Sequence, residues 1–372
     1  MLRRAREAID RALTWRRHDA KWNRLVREHP LRYLFLEVTR RCNLACVYCG
    51  SDCHEKGSRG EIPASEWKRI LGEIAADYDA RKVMVAVTGG EALIRDDIFE
   101  IMGELHRLGF PYGMVTNGGL LDAKAAKSLV EVGIGSISLS MDAPPEINDR
   151  LRGKGCSAAV ETAIGHLREA GFKGKLEIIS TLTTPAVAHL DELRKELARL
   201  KVPMWRVAPV MPIGRAAKRT DLVPGPQEIR AILEYVLQAR RDGKLPAPEF
   251  GEEGFLGNRF EGNVRPFLAQ CRAGVTTGGI LSDGRIGACP ELGDAFVQGD
   301  AKKERFKEVW ENRYLSLRDR SWTHKGECKR CGKHRQCKGG SMHLYPAPGG
   351  AFSRCLYLMA LESEEKQVKA GR

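Results

Sequence analysis

Apolar and polar positions change period repeatedly along the 372-residue chain. Short β-rich runs at Leu34–Val38, Val83–Val87, Tyr112–Thr116, Ser136–Met141, Leu176–Leu182 and Trp205–Pro209 read as strands, because such residues fit a pleated, buried surface. Between them, apolar residues recur at helical spacing in Trp67–Tyr78, Ile98–Leu108, Ala123–Val132, Ala158–Ala170 and Leu190–Leu200. Six strand-then-helix units in succession predict an α/β fold with a parallel sheet and right-handed crossovers. Six units, where a closed barrel needs eight, predict a partial, open-sided (β/α)6 TIM-like barrel whose chemistry lies on the loops after the strands' carboxyl ends.

On either side of that pattern the periodicity weakens. Residues 1–30 read as a basic helical extension, with Leu2, Ile9, Leu13, Trp15, Trp22 and Leu25 scattered among many arginines. Two readings stand: a docking helix for a partner or membrane surface, or a helix packed across the barrel with a solvated basic side. The barrel is expected over 31–215. A helical, Gly-rich linker follows over 216–265, with a helix near Gln227–Arg241. Residues 266–361 form a cysteine-bearing domain with little helical periodicity, and 362–372 a charged tail expected to fray.

The 42% hydrophobic and 29% charged fractions are those of a globular protein. No apolar run is long enough to span a bilayer, and no apolar h-region follows the basic N-terminus, so a cytoplasmic protein is expected. The net charge of +13 permits an acidic partner, whether nucleic acid, anionic lipid or acidic peptide, without choosing among them. No dedicated RNA-binding module is evident. The eleven cysteines cluster at Cys42, Cys46, Cys49 and Cys53 and again at Cys328, Cys331, Cys337 and Cys355, which suits metal ligation in a reducing compartment better than a disulfide framework.

The first cluster, Cys42-Asn43-Leu44-Ala45-Cys46-Val47-Tyr48-Cys49-Gly50, follows directly on the first strand. Four Cys thiolates close a four-iron cluster, so a three-thiol loop leaves one iron open to a ligand. This spacing, with Tyr48 before the last Cys, resembles the motif of the radical S-adenosylmethionine enzymes. The resemblance implies that the open iron chelates S-adenosylmethionine and that one-electron reduction releases a 5′-deoxyadenosyl radical. Cys53 is then a non-ligand, since a fourth thiolate would close the cluster, and the isolated Cys156 reads as a small buried hydrophobe.

Thr88-Gly89-Gly90-Glu91 after the second strand looks like that family's motif for the amino group of the cofactor, with Ala92 in place of the usual Pro. Glycines allow close backbone approach, and the Glu91 carboxylate suits an ammonium. The resemblance also implies cofactor-pocket roles for Tyr48, Thr116, Asn117, Ser140 and Asp142, and for Arg152 as a fork for the cofactor carboxylate. Val207, Ala208 and Pro209 either flank the adenine or pack in the core.

The late pattern, Cys271, Gly284 then Cys289, Cys328-x-x-Cys331-x5-Cys337 and Cys355, resembles the SPASM extension, an auxiliary iron–sulfur domain of radical enzymes that modify peptides. The ligand assignment implied gives one complete auxiliary cluster on Cys328, Cys331, Cys337 and Cys355. A second site keeps Cys271 and Cys289 but has Ser341 where a thiolate is usual: absent, bound with fewer Cys, or completed by the Ser341 oxygen or another group. A structural zinc site is the alternative for the late thiols.

Together these features imply a peptide or protein maturase, the products of ribosomal synthesis being the expected substrates. An external electron donor such as flavodoxin or ferredoxin is implied. The extension is too short for a whole peptide-binding domain, so recruitment is expected to fall to it or to a separate partner. An enzyme acting on a tetrapyrrole or other small cofactor precursor would share every motif, and a non-enzymatic metal-binding adaptor would make Gly-Gly-Glu accidental. Beyond the cluster no catalytic side chain is singled out.

Overall fold

The computed structural model describes residues 2–57, 60–266, 268 and 270–361; the charged tail expected over 362–372 lies outside them. Ten strands form one open sheet: β1 (Tyr33–Glu37), β2 (Met84–Thr88), β3 (Tyr112–Thr116), β4 (Ser136–Ser140), β5 (Lys175–Leu182), β6 (Met204–Pro209), β7 (Pro248–Phe250), β8 (Thr277–Ile280), β9 (Arg285–Gly287) and β10 (Gly299–Asp300). Their order is β10-β9-β8-β1-β2-β3-β4-β5-β6-β7. Strands β1 to β6 pair in parallel in sequence order, with helices at Ala64–Asp77, Ile98–Leu108, Ala123–Glu131, Cys156–Glu169 and Leu190–Arg199 crossing between them. This is the partial (β/α)6 barrel, with the cysteine-rich region at its C-terminal side.

Two additions enlarge the sheet. The stretch read as linker contributes a helix at Pro226–Arg241 and then β7, which pairs in parallel with β6. On the other flank β8, from the cysteine-bearing region, pairs in parallel with β1, and β9 and β10 continue antiparallel from it. One hydrophobic core accordingly runs from Leu34, Val85 and Ile137 in the barrel to Ile280, Phe306 and Trp310 beyond it. Glycines make the β8 contact possible: a Cβ on Gly278 would lie 2.8 Å from the Phe306 ring.

The N-terminal helix, Leu2–Glu28, read either as a docking helix or as one packed across the barrel, packs on the cysteine-rich region. Trp22 and Leu25 are buried against Val275, and the guanidinium groups of Arg272 and Arg320 lie 5.2 and 5.1 Å from the Trp22 ring centre. Asp19 pairs with Arg335 and, at 2.9 Å, with Lys338. Charge and stacking, more than an apolar stripe, hold this helix, which is why its apolar face looked imperfect. Among the described residues no helix is long and apolar enough to cross a membrane.

Candidate active site

The Cys42–Gly50 loop leaves the carboxyl end of β1 and folds back over the sheet. Thiols of Cys42, Cys46, Cys49 and Cys53 line one cavity of about 110 Å³ together with Gly89, Gly90, Thr116, Asn117, Ser140 and Arg152. Hydrogen bonds fix the loop: the Val47 amide donates to the Leu151 carbonyl at 3.0 Å, and the Gly90 and Glu91 amides donate to the carbonyls of Thr39 and Arg41. A Cβ on Gly90 would overlap the Arg41 carbonyl oxygen, and one on Gly89, at φ +153°, that of Thr39. The glycines are therefore required by the neighbouring loop itself.

Arg215 closes the loop from the far side. Its Nε donates to the Cys46 carbonyl at 2.8 Å, its Nη1 to the Cys53 carbonyl at 2.9 Å, and it pairs with Asp52. Burial pushes the Cys42 thiol up to about 11 and raises that of Cys46. Cys49 moves the other way, because the Cys53 thiol donates to it; Cys53 is raised in turn. Three thiols on one short loop, with an amide aimed at Cys42 Sγ from Leu44 at 3.4 Å, suit a cluster whose positive iron would hold them ionised.

The remaining predicted pocket residues divide into two groups. Thr116, Asn117, Ser140 and Arg152 line the cavity, whereas Tyr48, Glu91 and Asp142 stand behind it. Arg152 Nη1 donates to Tyr48 Oη at 2.7 Å and to Asp142 Oδ2 at 3.0 Å, and the Tyr48 hydroxyl donates to the same carboxylate. Arg152 Nε is buried without a hydrogen-bond partner. Glu91, expected to meet an ammonium, accepts from the Thr116 hydroxyl and the Asn117 amide, both at 2.8 Å. Its carboxylate is fully buried behind the glycines, where it positions two cavity residues. At the end of β6, Ala208 and Pro209 line a second cavity and Val207 packs in the core. Cys156 is buried, as expected of an isolated hydrophobe.

Cys328, Cys331, Cys337 and Cys355 line a single cavity of about 480 Å³ walled by Trp322, Tyr345 and Phe352. Burial lifts the Cys355 thiol to about 12, and the Lys333 amide points at Cys331 Sγ from 3.4 Å. Four thiols around one such space fit a four-iron cluster. Cys271, buried, and Cys289, half-buried, lie elsewhere, and burial raises both thiols. The Ser341 hydroxyl does not complete a thiol set with them: it donates to the Glu252 carboxylate and, at 3.2 Å, to that of Glu253. With two thiols and an engaged hydroxyl, these residues do not fit a second four-iron cluster.

A second cavity, about 220 Å³, joins the two regions. It runs from Cys46, Cys49 and Arg152 past Val210, Met211 and Ile213 to Glu252 and Glu291. Arg215, Glu252, Glu291 and His343 were not singled out by sequence, since each is an ordinary polar residue without a local motif and acts only through partners far away in the chain.

Residues 36–200 match the Radical SAM superfamily model, and residues 271–332 match SPASM, described as an iron-sulfur cluster-binding domain. The chain is 27% identical over 349 residues to the AdoMet-dependent heme synthase of Methanosarcina barkeri, covering 88% of this chain and 96% of that protein. It is 29% identical over 313 residues to mycofactocin maturase MftC of Mycolicibacterium smegmatis, covering 82% and 76%. Among solved structures it resembles native anSMEcpe with bound AdoMet, with a TM-score of 0.71, 19% identity and coverage of 92% and 99%. Streptococcus suis SuiB bound to precursor peptide SuiA gives a TM-score of 0.69, 21% identity and coverage of 91% and 78%.

Proposed function

We propose that this chain, a radical S-adenosylmethionine enzyme with a SPASM domain, abstracts hydrogen from a ribosomally made peptide or protein as its maturase. Its cofactors are S-adenosylmethionine, a four-iron radical cluster and at least one auxiliary iron–sulfur cluster. When bound, the reduced cluster and S-adenosylmethionine supply radical chemistry able to attack an unactivated C–H bond.

The protein's part is holding and orientation. In this reading Cys42, Cys46 and Cys49 hold the radical cluster, and Cys328, Cys331, Cys337 and Cys355 the auxiliary one. Gly89, Gly90, Thr116, Asn117 and Ser140 wall the S-adenosylmethionine pocket. Arg152 has a donor to offer its carboxylate, Nε being without a partner. Tyr48, Asp142 and Glu91 act through their neighbours as positioning residues.

One observation favours a peptide over a tetrapyrrole: the cavity beyond the cysteine loop passes Val210, Met211 and Ile213 and ends on the carboxylates of Glu252 and Glu291. Those groups accept the amide and cationic groups of a peptide. The second reading, a tetrapyrrole substrate, is supported by the likeness to heme synthases along nearly their whole length. Mass spectrometry after anaerobic turnover with a peptide encoded beside the gene, and with a carboxylate-bearing iron porphyrin, separates the two. A mass change in the peptide with stoichiometric deoxyadenosine supports the proposal; turnover of the porphyrin alone rejects it. An electron donor of the flavodoxin or ferredoxin kind is required in either case.

A further inference from the structure

Where the second auxiliary cluster lacks its thiolate, a different set of ligands has assembled. Oxygens of Glu252 and Glu253 and a ring nitrogen of His343 lie within 4.8 Å of one another. His343 is 7% exposed, and its Nε2 is buried without a hydrogen-bond partner, 3.6 Å from Glu252 Oε1. On the other side of the ring, Nδ1 is 3.7 Å from Glu291 Oε2. The Ser341 hydroxyl donates to both ligand carboxylates.

We propose that Glu252, Glu253 and His343 hold one first-row divalent metal ion. Two arguments carry this. The donor set, two carboxylates and an imidazole, suits Fe²⁺, Mn²⁺ or Zn²⁺ better than a cluster that needs thiolates. The outer contacts are those a metal ligand needs: a carboxylate behind the far nitrogen of the imidazole, and a hydroxyl orienting the ligating oxygens.

Three protein donors leave coordination positions open. Because Glu252 lines the cavity shared with Cys46, Cys49 and Arg152, those positions suit a substrate carbonyl oxygen. The site therefore anchors substrate opposite the radical cluster and takes over the place of the missing cluster. It does not depend on which substrate is bound.

The test uses the anaerobically reconstituted holoenzyme, desalted and titrated with Mn²⁺, whose free six-line electron paramagnetic resonance signal disappears on binding. The expected result is one saturable site per chain, weakened at least about tenfold by Glu253→Gln and by His343→Gln, with iron remaining near eight per chain, as for two four-iron clusters. Retained iron reports that both variants are folded. Absence of saturable Mn²⁺ binding, binding unchanged in both variants, or a parent carrying about twelve irons in three clusters overturns the proposal.

Discussion

Arg215 reaches Cys46 across 169 residues of chain, donating from Nε to the Cys46 carbonyl at 2.8 Å. The same guanidinium holds the Cys53 carbonyl and Asp52. The loop that carries three candidate cluster thiols is thus closed by a residue placed just after β6, where its backbone amide also donates to the Cys49 carbonyl at 2.9 Å.

Arg215→Ala should loosen that loop while leaving the rest of the molecule intact. Charge-assisted hydrogen bonds contribute about 1.5 to 3 kcal/mol each, and partial exposure brings the loss here to about 2 kcal/mol. We expect about four irons per chain to be lost preferentially on desalting, with the C-terminal cluster retained. Iron analysis of the variant beside a Cys42/Cys46/Cys49→Ala triple variant checks this. Loss of all iron from Arg215→Ala would instead indicate a global defect.

A pH effect follows from Glu61. It accepts from Arg41 Nε at 2.8 Å and Nη2 at 3.0 Å and from the Thr39 hydroxyl. Burial opposes its ionisation, but these hydrogen bonds and the Arg41 and Arg95 charges outweigh that and hold the carboxyl below the ordinary 4.5. A depressed value in the folded state makes the stabilisation complete above the ordinary value and drains it as pH falls through the folded one. Denaturant midpoints taken from about pH 6 down to about pH 3 should fall less steeply in Glu61→Gln than in the parent. Parallel curves would show that the Arg41 clamp contributes nothing.

The sequence carried the six central strands and their crossovers because each is an apolar run long enough to show its period. β7 was illegible for a physical reason: Pro248–Phe250 is three residues bounded by Pro246 and Gly251, and only pairing with β6 makes it a strand. β8 reads Thr-Gly-Gly-Ile, a poor strand former, and is fixed by its register against β1 and the rings packed over Gly278. The thiol spacings exposed both cysteine clusters, since ligand spacing is local. The partners of Glu91, the Thr116 hydroxyl and the Asn117 amide, were not legible, because a motif does not say which way a side chain turns. The Glu252, Glu253 and His343 cluster could not be seen at all, its members being ordinary residues about 90 positions apart.

The C-terminal thiols should also control the N-terminal helix. Asp19 pairs with Arg335 and Lys338, on either side of Cys337, and Trp22 rests beneath Arg320. Metal binding orders a region with few apolar contacts of its own. Cys337→Ala is therefore expected to lose about four irons and to expose the helix at Leu2–Glu28 to limited proteolysis, while Asp19→Asn exposes the helix without iron loss. Protection of the helix in Cys337→Ala would break the link.

Glycine replacements distinguish two reasons for the residues beside the cysteine loop. Gly103 and Gly165 lie inside helices, Ile98–Leu108 and Cys156–Glu169, and an added Cβ meets nothing within 4 Å at either. Alanine there should stabilise by about 0.4 to 1 kcal/mol by restricting the unfolded chain. At Gly90 the same methyl would overlap the Arg41 carbonyl oxygen and lie 3.1 Å from the Cys42 Cβ. Gly214 is equally closed, with φ +53° and a Cβ position 2.5 Å from the Cys49 carbonyl oxygen. Gly90→Ala and Gly214→Ala should each cost about 1 to 3 kcal/mol, the range for overpacking, in protein free of S-adenosylmethionine. If Gly90 served only to admit the cofactor, Gly90→Ala would leave the ligand-free protein as stable as the parent and weaken S-adenosylmethionine binding alone. Thermal unfolding with and without S-adenosylmethionine separates these outcomes, because the ligand-free curve moves only if the glycine is required by the loop.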